Sequence, residues 1–200
     1  IRQDLEGGHR IGLTAERFSL RTRTDLKTLQ GSNVSTSTYR IDDYDGHEDT
    51  ERGRVSLDYQ YEAPSTDSLI DAADLSLYWT RLDKVSGSGD RLTNNSLYIR
   101  EDNLRDNRFG LVGGLESGFE VGSVSHTIRF GGNAWISDFS NAVYLNTGGS
   151  SAASQSDMPD VDGKSLGLYL EDELGFGASN FKLTPGLRFR SEEHTSELQS

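Results

Sequence analysis

Residues 73–80, with the sequence ADLSLYWT, alternate apolar and polar side chains over their whole length. Ala73, Leu75, Leu77 and Trp79 share one phase, and Asp74, Ser76, Tyr78 and Thr80 share the other. Successive side chains of a β-strand point to opposite faces of the sheet. This period of two therefore predicts a strand with one apolar face.

The same alternation recurs along the rest of the chain. It is centred on Leu13, Leu57, Leu111, Phe130, Leu168 and Leu187. No segment shows an apolar period of 3.6 residues over eleven residues, so the pattern predicts an all-β, antiparallel fold of roughly seven strands. In the first strand Phe18 and Leu20 fall on the opposite phase from Leu13, and we expect a β-bulge near Arg17 to reconcile them.

The connections between these segments alternate broadly in length. Residues 30–48, 83–95 and 140–163 are long and polar, whereas 62–72, 120–123 and 175–179 are shorter. Antiparallel strands joined in this way place every long loop at one end of the sheet, as in outer-membrane barrels. The aromatic residues Tyr61, Phe119 and Phe181 fall at the short-turn ends, where such barrels carry an aromatic girdle.

Composition excludes several classes of protein. The chain has 20 Lys and Arg against 32 Asp and Glu, a net charge of −12, which argues against nucleic-acid binding. The mean hydropathy is −0.62, and no apolar run is long enough for a transmembrane helix. The low hydropathy does not exclude a membrane β-barrel, because the strands of such a barrel are apolar only at alternate residues. Cysteine is absent, so we expect neither disulfides nor thiolate metal sites.

Two architectures are compatible with the residues on the polar phase of the strands. Its residues are strongly charged: Asp58, Asp74, Glu116, Arg129, Glu171, Glu173, Lys182 and Arg188. In a soluble extracellular β-sandwich binding module these side chains face outer solvent, and in a wide barrel they face a wet or plugged lumen. Residues 96–119 form a longer segment than a small sandwich strand needs, which favours the barrel.

Three segments resemble TonB-dependent outer-membrane receptors: 54–61 (RVSLDYQY), 77–82 (LYWTRL) and 183–189 (LTPGLRF). The similarity covers residues 10–189 and is greatest to the haem and haemoglobin receptor branch. The resemblance implies a 22-stranded barrel filled by a plug. It also implies location in the outer membrane of a Gram-negative bacterium, contact with outer-membrane lipid, and energy coupling to the TonB complex through an N-terminal region.

We expect residues 1–189 to be a partial barrel of middle strands without a plug, open as a fragment. Residues 190–200 (RSEEHTSELQS) resemble a translated sequencing adapter and are expected to be a non-native tail. The haem-branch signature with FRAP and NPNL motifs does not occur in the chain. The ligand therefore stays open between haem or a haemoprotein, a ferric siderophore and another nutrient.

Candidate site residues are few. If the ligand is haem, the iron needs an axial ligand, and His47 with Tyr39 and Tyr44 in the 30–48 segment are the predicted haem-binding residues. Met158 is a weaker candidate. The acidic segments 42–49 and 157–163 each miss two required positions of a calcium loop, so we assign no metal site.

No catalytic motif is present in the sequence, and we predict a transporter rather than an enzyme. We assign no catalytic residue and no resident cofactor, haem being a transported ligand. Loops 30–48, 83–95 and 140–163 are expected to form part of the surface that captures the ligand.

Overall fold

The computed structural model describes residues 1–25, 39–65, 68–92, 97–147, 150–155, 158–177 and 181–196. They form one antiparallel sheet of ten strands in the order β1-β2-β3-β4-β5-β6-β8-β10, with β7 paired to β6 and β9 paired to β8. The strands are β1 Arg2–Asp4, β2 His9–Asp25, β3 Tyr39–Glu62, β4 Ala72–Leu92, β5 Leu97–Val121, β6 Val124–Thr147, β7 Ser150–Gln155, β8 Val161–Phe176, β9 Lys182–Leu183 and β10 Gly186–Ser196.

The topology is up-and-down, and the sheet is open because β1 and β10 do not pair with each other. The described residues contain a single 3-10 turn, Glu6–Gly8, and no α-helix. None of them forms a helix long and apolar enough to cross a membrane. These observations confirm the predicted all-β fold, and the single layer contradicts the alternative of a two-sheet sandwich.

The strand register places the apolar residues in common rows. One row runs directly across six strands: Leu13, Leu57, Leu77, Leu111, Ala134 and Leu166. Directly opposed residues of an antiparallel pair point to the same side, so these side chains share one face of the sheet. We call this side the apolar face and the opposite side, which carries Ser56 and Ser165, the polar face.

Burial on the two faces is the reverse of that in a soluble protein. Leu57 on the apolar face is 48% exposed, whereas Ser56 and Ser165 on the polar face are only 3% and 6% exposed. Along β8 the apolar-face leucines are exposed and the polar-face residues between them are shielded. Soluble proteins bury their large apolar side chains instead. The apolar face is therefore built to meet a partner other than water, as the lipid-facing side of a barrel is.

The apolar rows form a band that ends abruptly. On β5 the band runs from Phe109 to Phe119. Ten residue steps at a tilt of about 40° span about 26 Å along the membrane normal, close to the thickness of the apolar band of outer-membrane barrels. Because β5 has 25 residues, it continues well beyond this band at the long-connection end.

Two local expectations are wrong. The β2–β3 register is continuous from His9 to Asp25, so there is no bulge at Arg17. Phe18 therefore lies opposite Arg52 on the polar face. The predicted long loops are also largely strand, since β3 begins at Tyr39, β4 runs to Leu92 and β6 to Thr147. Beyond the band both faces meet water, so the apolar alternation that marks a strand in the sequence disappears there.

The short connections are confirmed. Only Gly122 and Ser123 separate β5 from β6. Gly122 has φ of 65°, a left-handed conformation that glycine adopts without a steric penalty. Phe119 lies at this end and stacks on His126, with ring centroids 5.0 Å apart. Phe181 lies at the next short connection, 5.6 Å from Phe176.

Candidate ligand-contact surface on the polar face

Aromatic rings lie flat on the polar face because glycines on the neighbouring strands make room for them. Tyr78 of β4 is directly opposite Gly110 of β5, and a Cβ atom at Gly110 would lie only 2.5 Å from the Tyr78 hydroxyl. Tyr169 of β8 covers Gly131 in the same way, at 2.6 Å. Side chains at either glycine would lift these rings from the sheet.

An arginine and a tryptophan extend this aromatic surface. Trp135 of β6 is directly opposite Gly110, and the guanidinium carbon of Arg108 lies 4.5 Å from the centre of its ring. This is the geometry of a cation–π interaction. Trp135 and Tyr78 therefore flank Gly110 in one row, and Arg108 covers one of the two rings.

A second arginine lies in the same row as Arg108. Arg54 of β3 is opposite Thr80, which is opposite Arg108. The Nε atoms of Arg54 and Arg108 are buried and have no hydrogen-bond partner, and Asp106 reaches Arg108 only at 3.8 Å. Because both Nε atoms are buried, a bound ligand can contact only the terminal nitrogens of these two arginines. We call Arg54, Tyr78, Arg108 and Trp135 the arginine–aromatic patch.

The chemistry of this patch suits one kind of ligand. Guanidinium groups form forked, charge-assisted hydrogen bonds to carboxylates and phosphates. Exposed ring faces stack against flat π-systems. The arginine–aromatic patch is thus suited to an anionic ligand with a planar or aromatic surface.

Ion pairs cover the polar face near the short turns. Arg129 lies 2.8 Å from Glu116 and 3.5 Å from Glu173. Glu173 also pairs with Lys182, and Glu171 lies 3.6 Å from Arg188. Such charges need water or protein partners, which a lipid environment does not supply. Their position confirms that the charged phase of the strands shares one side of the sheet.

Asp83 and Asp49 lie beyond the apolar band on the apolar face, and arginines hold both carboxylates. A hydrogen bond from Arg81 lowers the pKa of Asp83 from its ordinary value of 3.8, and Arg105 binds the same carboxylate at 2.8 Å. A hydrogen bond from Arg23 likewise lowers the pKa of Asp49. Both carboxylates are therefore ionised at neutral pH and bind arginines that lie beyond the apolar band.

Of the three predicted haem-binding residues, the structure describes only the side chain of His47. His47 lies in β3 on the same phase as Leu57, so its half-buried ring is on the apolar face, above Gly87 of β4. Tyr39 and Tyr44 also belong to β3, but their side chains lie outside the described residues. The assignment of these three residues stays a prediction.

Other candidate positions are separate from the arginine–aromatic patch. Met158 is half exposed, and its backbone N–H donates to the Asn141 side chain at 3.3 Å. Among the side chains that the structure describes, no group of three His, Cys, Asp or Glu residues is placed to hold a metal ion. None of the residues of the arginine–aromatic patch was predicted from the sequence as a site residue. Its available signal was the large rings of Tyr78 and Trp135 on an otherwise polar phase.

The open antiparallel sheet, its apolar band and its charged opposite face define a segment of an outer-membrane β-barrel. Residues 2–198 match the family model described as TonB-dependent receptor-like, β-barrel, and the chain belongs to that family. No curated protein matches the sequence. Receptors of this family are transporters of the Gram-negative outer membrane that act with TonB and a ligand, and membership places the barrel in that setting.

The family match extends into the predicted tail. Residues 190–196 continue strand β10 and pair with β8 as far as Ser196 opposite Val161. Within this segment His194 lies 6.5 Å from Trp135 on the polar face. The adapter origin of residues 190–200 stays a prediction, and we rest no site on them.

Proposed function

We propose that this barrel belongs to a receptor that imports haem or extracts it from a haemoprotein. The observation that carries the proposal is the arginine–aromatic patch. Haem is a flat π-system with two carboxylates, so it suits stacking on the aromatic rings of the patch and pairing with the guanidinium groups of Arg54 and Arg108. The resemblance of residues 54–61 and 77–82 to the haem receptor branch supports the same substrate.

In this scheme the strands beyond the apolar band and the connections at that end capture the ligand. The ligand then passes along the polar face of the barrel toward the periplasm. TonB supplies the energy for this movement through a region preceding the barrel. His47, Tyr39 and Tyr44 are the proposed axial ligands at the capture stage, where the haem iron requires one.

A ferric siderophore or another scarce nutrient is the alternative substrate. Of the four histidines, His9, His47 and His126 lie on the apolar face, and His194 is in the suspected tail. The polar face thus offers no other histidine among the described side chains. A ferric siderophore brings its own iron ligands, and many are both anionic and aromatic, so the same patch suits it without an axial ligand.

Absorbance titration separates the two substrates. The receptor carrying this barrel, purified from outer membranes in detergent, is titrated with haem while the Soret band is followed. We expect a saturable Soret shift that Arg108→Gln weakens about tenfold, the typical effect of losing a charge-assisted hydrogen bond. Arg188→Gln is the matched control, because it removes a polar-face arginine outside the patch.

Each outcome bears on the proposal. A saturable shift that depends on Arg108 supports haem as the substrate. Absence of a Soret shift, combined with quenching of tryptophan fluorescence by a ferric siderophore that Trp135→Phe reduces, replaces haem with the siderophore. Equal affinities in Arg108→Gln and Arg188→Gln show that the patch does not contact the ligand.

A further inference from the structure

We propose that the apolar face carries a binding groove for a phosphate-bearing lipid of the outer leaflet. The groove lies over Gly53 of β3, between Arg17 of β2 and Arg81 of β4, with Val55 and Trp79 as its apolar floor. We call it the Gly53 groove. It lies on the opposite side of the sheet from the arginine–aromatic patch and is independent of the transported ligand.

The register sets the level of the groove in the membrane. Arg17, Gly53 and Arg81 are directly opposite one another in one row. The adjacent row toward the short turns contains Val55 and Trp79 and is the last row of the apolar band. At the tilt of barrel strands, one row is roughly 5 Å along the membrane normal. The two arginines therefore lie where lipid headgroups meet the hydrocarbon.

Glycine at position 53 leaves the space between the arginines open. A Cβ atom there would meet nothing within 4 Å, and the groove has a volume of about 470 Å³. The Cα atoms of Arg17 and Arg81 are two strand spacings apart, about 10 Å. Two long arginine side chains that flank this gap are within reach of one phosphate group placed between them.

Each arginine of the groove is paired with one carboxylate. Arg17 pairs with Glu51 at 3.1 Å, and Arg81 pairs with Asp83 at 2.5 Å. Both carboxylates come from the next row away from the apolar band. Asp83 accepts from both Nε and Nη2 of Arg81, whereas Glu51 accepts only from Nη2 of Arg17, whose side chain is 76% exposed. Arg17 therefore keeps more of its guanidinium donors for a phosphate than Arg81 does.

The apolar part of the surface identifies the source of the phosphate as a lipid. Trp79 lines the Gly53 groove and lies in one row with Phe109 and Ile136 of the next two strands. A phosphate held by the arginines places attached acyl chains over these apolar side chains. A soluble anion would not contact that apolar surface, so the proposed ligand is a phosphate-bearing lipid.

Native mass spectrometry of the detergent-solubilised receptor tests the proposal. The receptor is titrated with phosphatidic acid and with phosphatidylcholine of the same acyl chains. We expect preferential binding of phosphatidic acid and about a fivefold loss for each of Arg17→Gln and Arg81→Gln, the usual effect of one basic residue near anionic lipid. Arg23→Gln is the matched control. It removes a carboxylate-paired arginine on the same face, three rows farther from the band.

The comparison has outcomes that overturn the proposal. Equal binding of the two lipids, or a preference that survives Arg17→Gln combined with Arg81→Gln, shows that the groove is not a phosphate site. Displacement of phosphatidic acid by inorganic phosphate alone shows that the acyl chains contribute nothing and rejects the lipid assignment. Heat-dependent gel migration checks that each variant is folded, so a folding defect is not mistaken for lost binding.

Discussion

The two faces of the sheet can be compared by placing the same charge on each. Leu115 on the apolar face and Val112 on the polar face belong to one strand, β5, and are exposed to nearly the same extent, 44% and 43%. If both faces met water, Leu115→Arg and Val112→Arg would have similar, small effects on stability. If the apolar face meets lipid, only the Leu115 substitution places an arginine in hydrocarbon.

The expected magnitude follows from the position of Leu115. It lies close to the middle of the band that runs from Phe109 to Phe119, and its cross-strand neighbours are Ala73 and Phe130. An arginine on the lipid face near the midplane costs about 2–4 kcal/mol, which is roughly a 30-fold to 800-fold change in the folding equilibrium. Val112→Arg faces a polar surface, and we expect it to cost less than about 1 kcal/mol.

Urea titration of the receptor folding into lipid vesicles measures this difference, with heat-dependent gel migration reporting the folded fraction. Leu115→Arg should shift the unfolding midpoint strongly and Val112→Arg should shift it little. Equal destabilisation by the two variants, or a larger effect of Val112→Arg, would refute the assignment of the apolar face to lipid.

Three further predictions concern glycines and pH. Gly110→Ala places a Cβ 2.5 Å from the Tyr78 hydroxyl and should cost about 1–3 kcal/mol in the same urea assay, an effect that Tyr78→Ala relieves; Gly89→Ala, with open space, is the control. Gly122→Ala forces alanine to φ of 65° and should cost roughly 1–2 kcal/mol, whereas Gly89→Ala at an unobstructed position should not. The pKa of Asp83 is lower in the folded protein than its ordinary value of 3.8. The ionised carboxylate therefore stabilises the folded receptor fully above pH 3.8, and this stabilisation is lost as the pH falls through the native-state pKa. Asp83→Asn should therefore remove part of the acid sensitivity of thermal unfolding below pH 4, and unchanged acid sensitivity would contradict this.

The sequence predicts the fold best where the two faces of a strand meet different solvents. Leu57 and Ser56 differ in polarity because one faces apolar surroundings and the other does not, and that difference is visible as period two. Beyond the band this contrast is lost, so the sequence predicts a loop up to Glu48 where β3 is already a strand from Tyr39. Phe18 was misplaced for the same reason, since an apolar residue outside the band need not follow the phase of Leu13.

The arginine–aromatic patch could not be predicted from the sequence, because it depends on the pairing register of neighbouring strands. Tyr78, Arg108 and Trp135 lie on three strands, and their proximity follows only from the pairing of Tyr78 with Gly110 and of Gly110 with Trp135. A one-residue slip between β4 and β5 would turn Tyr78 and Gly110 to different faces. The Gly53 groove has the same origin, because Arg17 and Arg81 become neighbours only through their pairing with position 53.

The long strands change where ligand capture should be sought in this chain. Beyond the band, β3 and β4 remain paired up to Asp45 and Gly89, with cross-strand contacts such as Lys84 with Glu48 at 3.0 Å. Exposed ion pairs of this kind contribute little by themselves, so backbone pairing along adjacent strands must hold the extension together. A ligand approaching from outside thus meets a continuous wall of strands before it meets the band. Arg54 lies on the polar face, along which the proposed function takes the ligand, whereas the ring of His47 lies on the opposite face and could meet a ligand only outside the barrel wall.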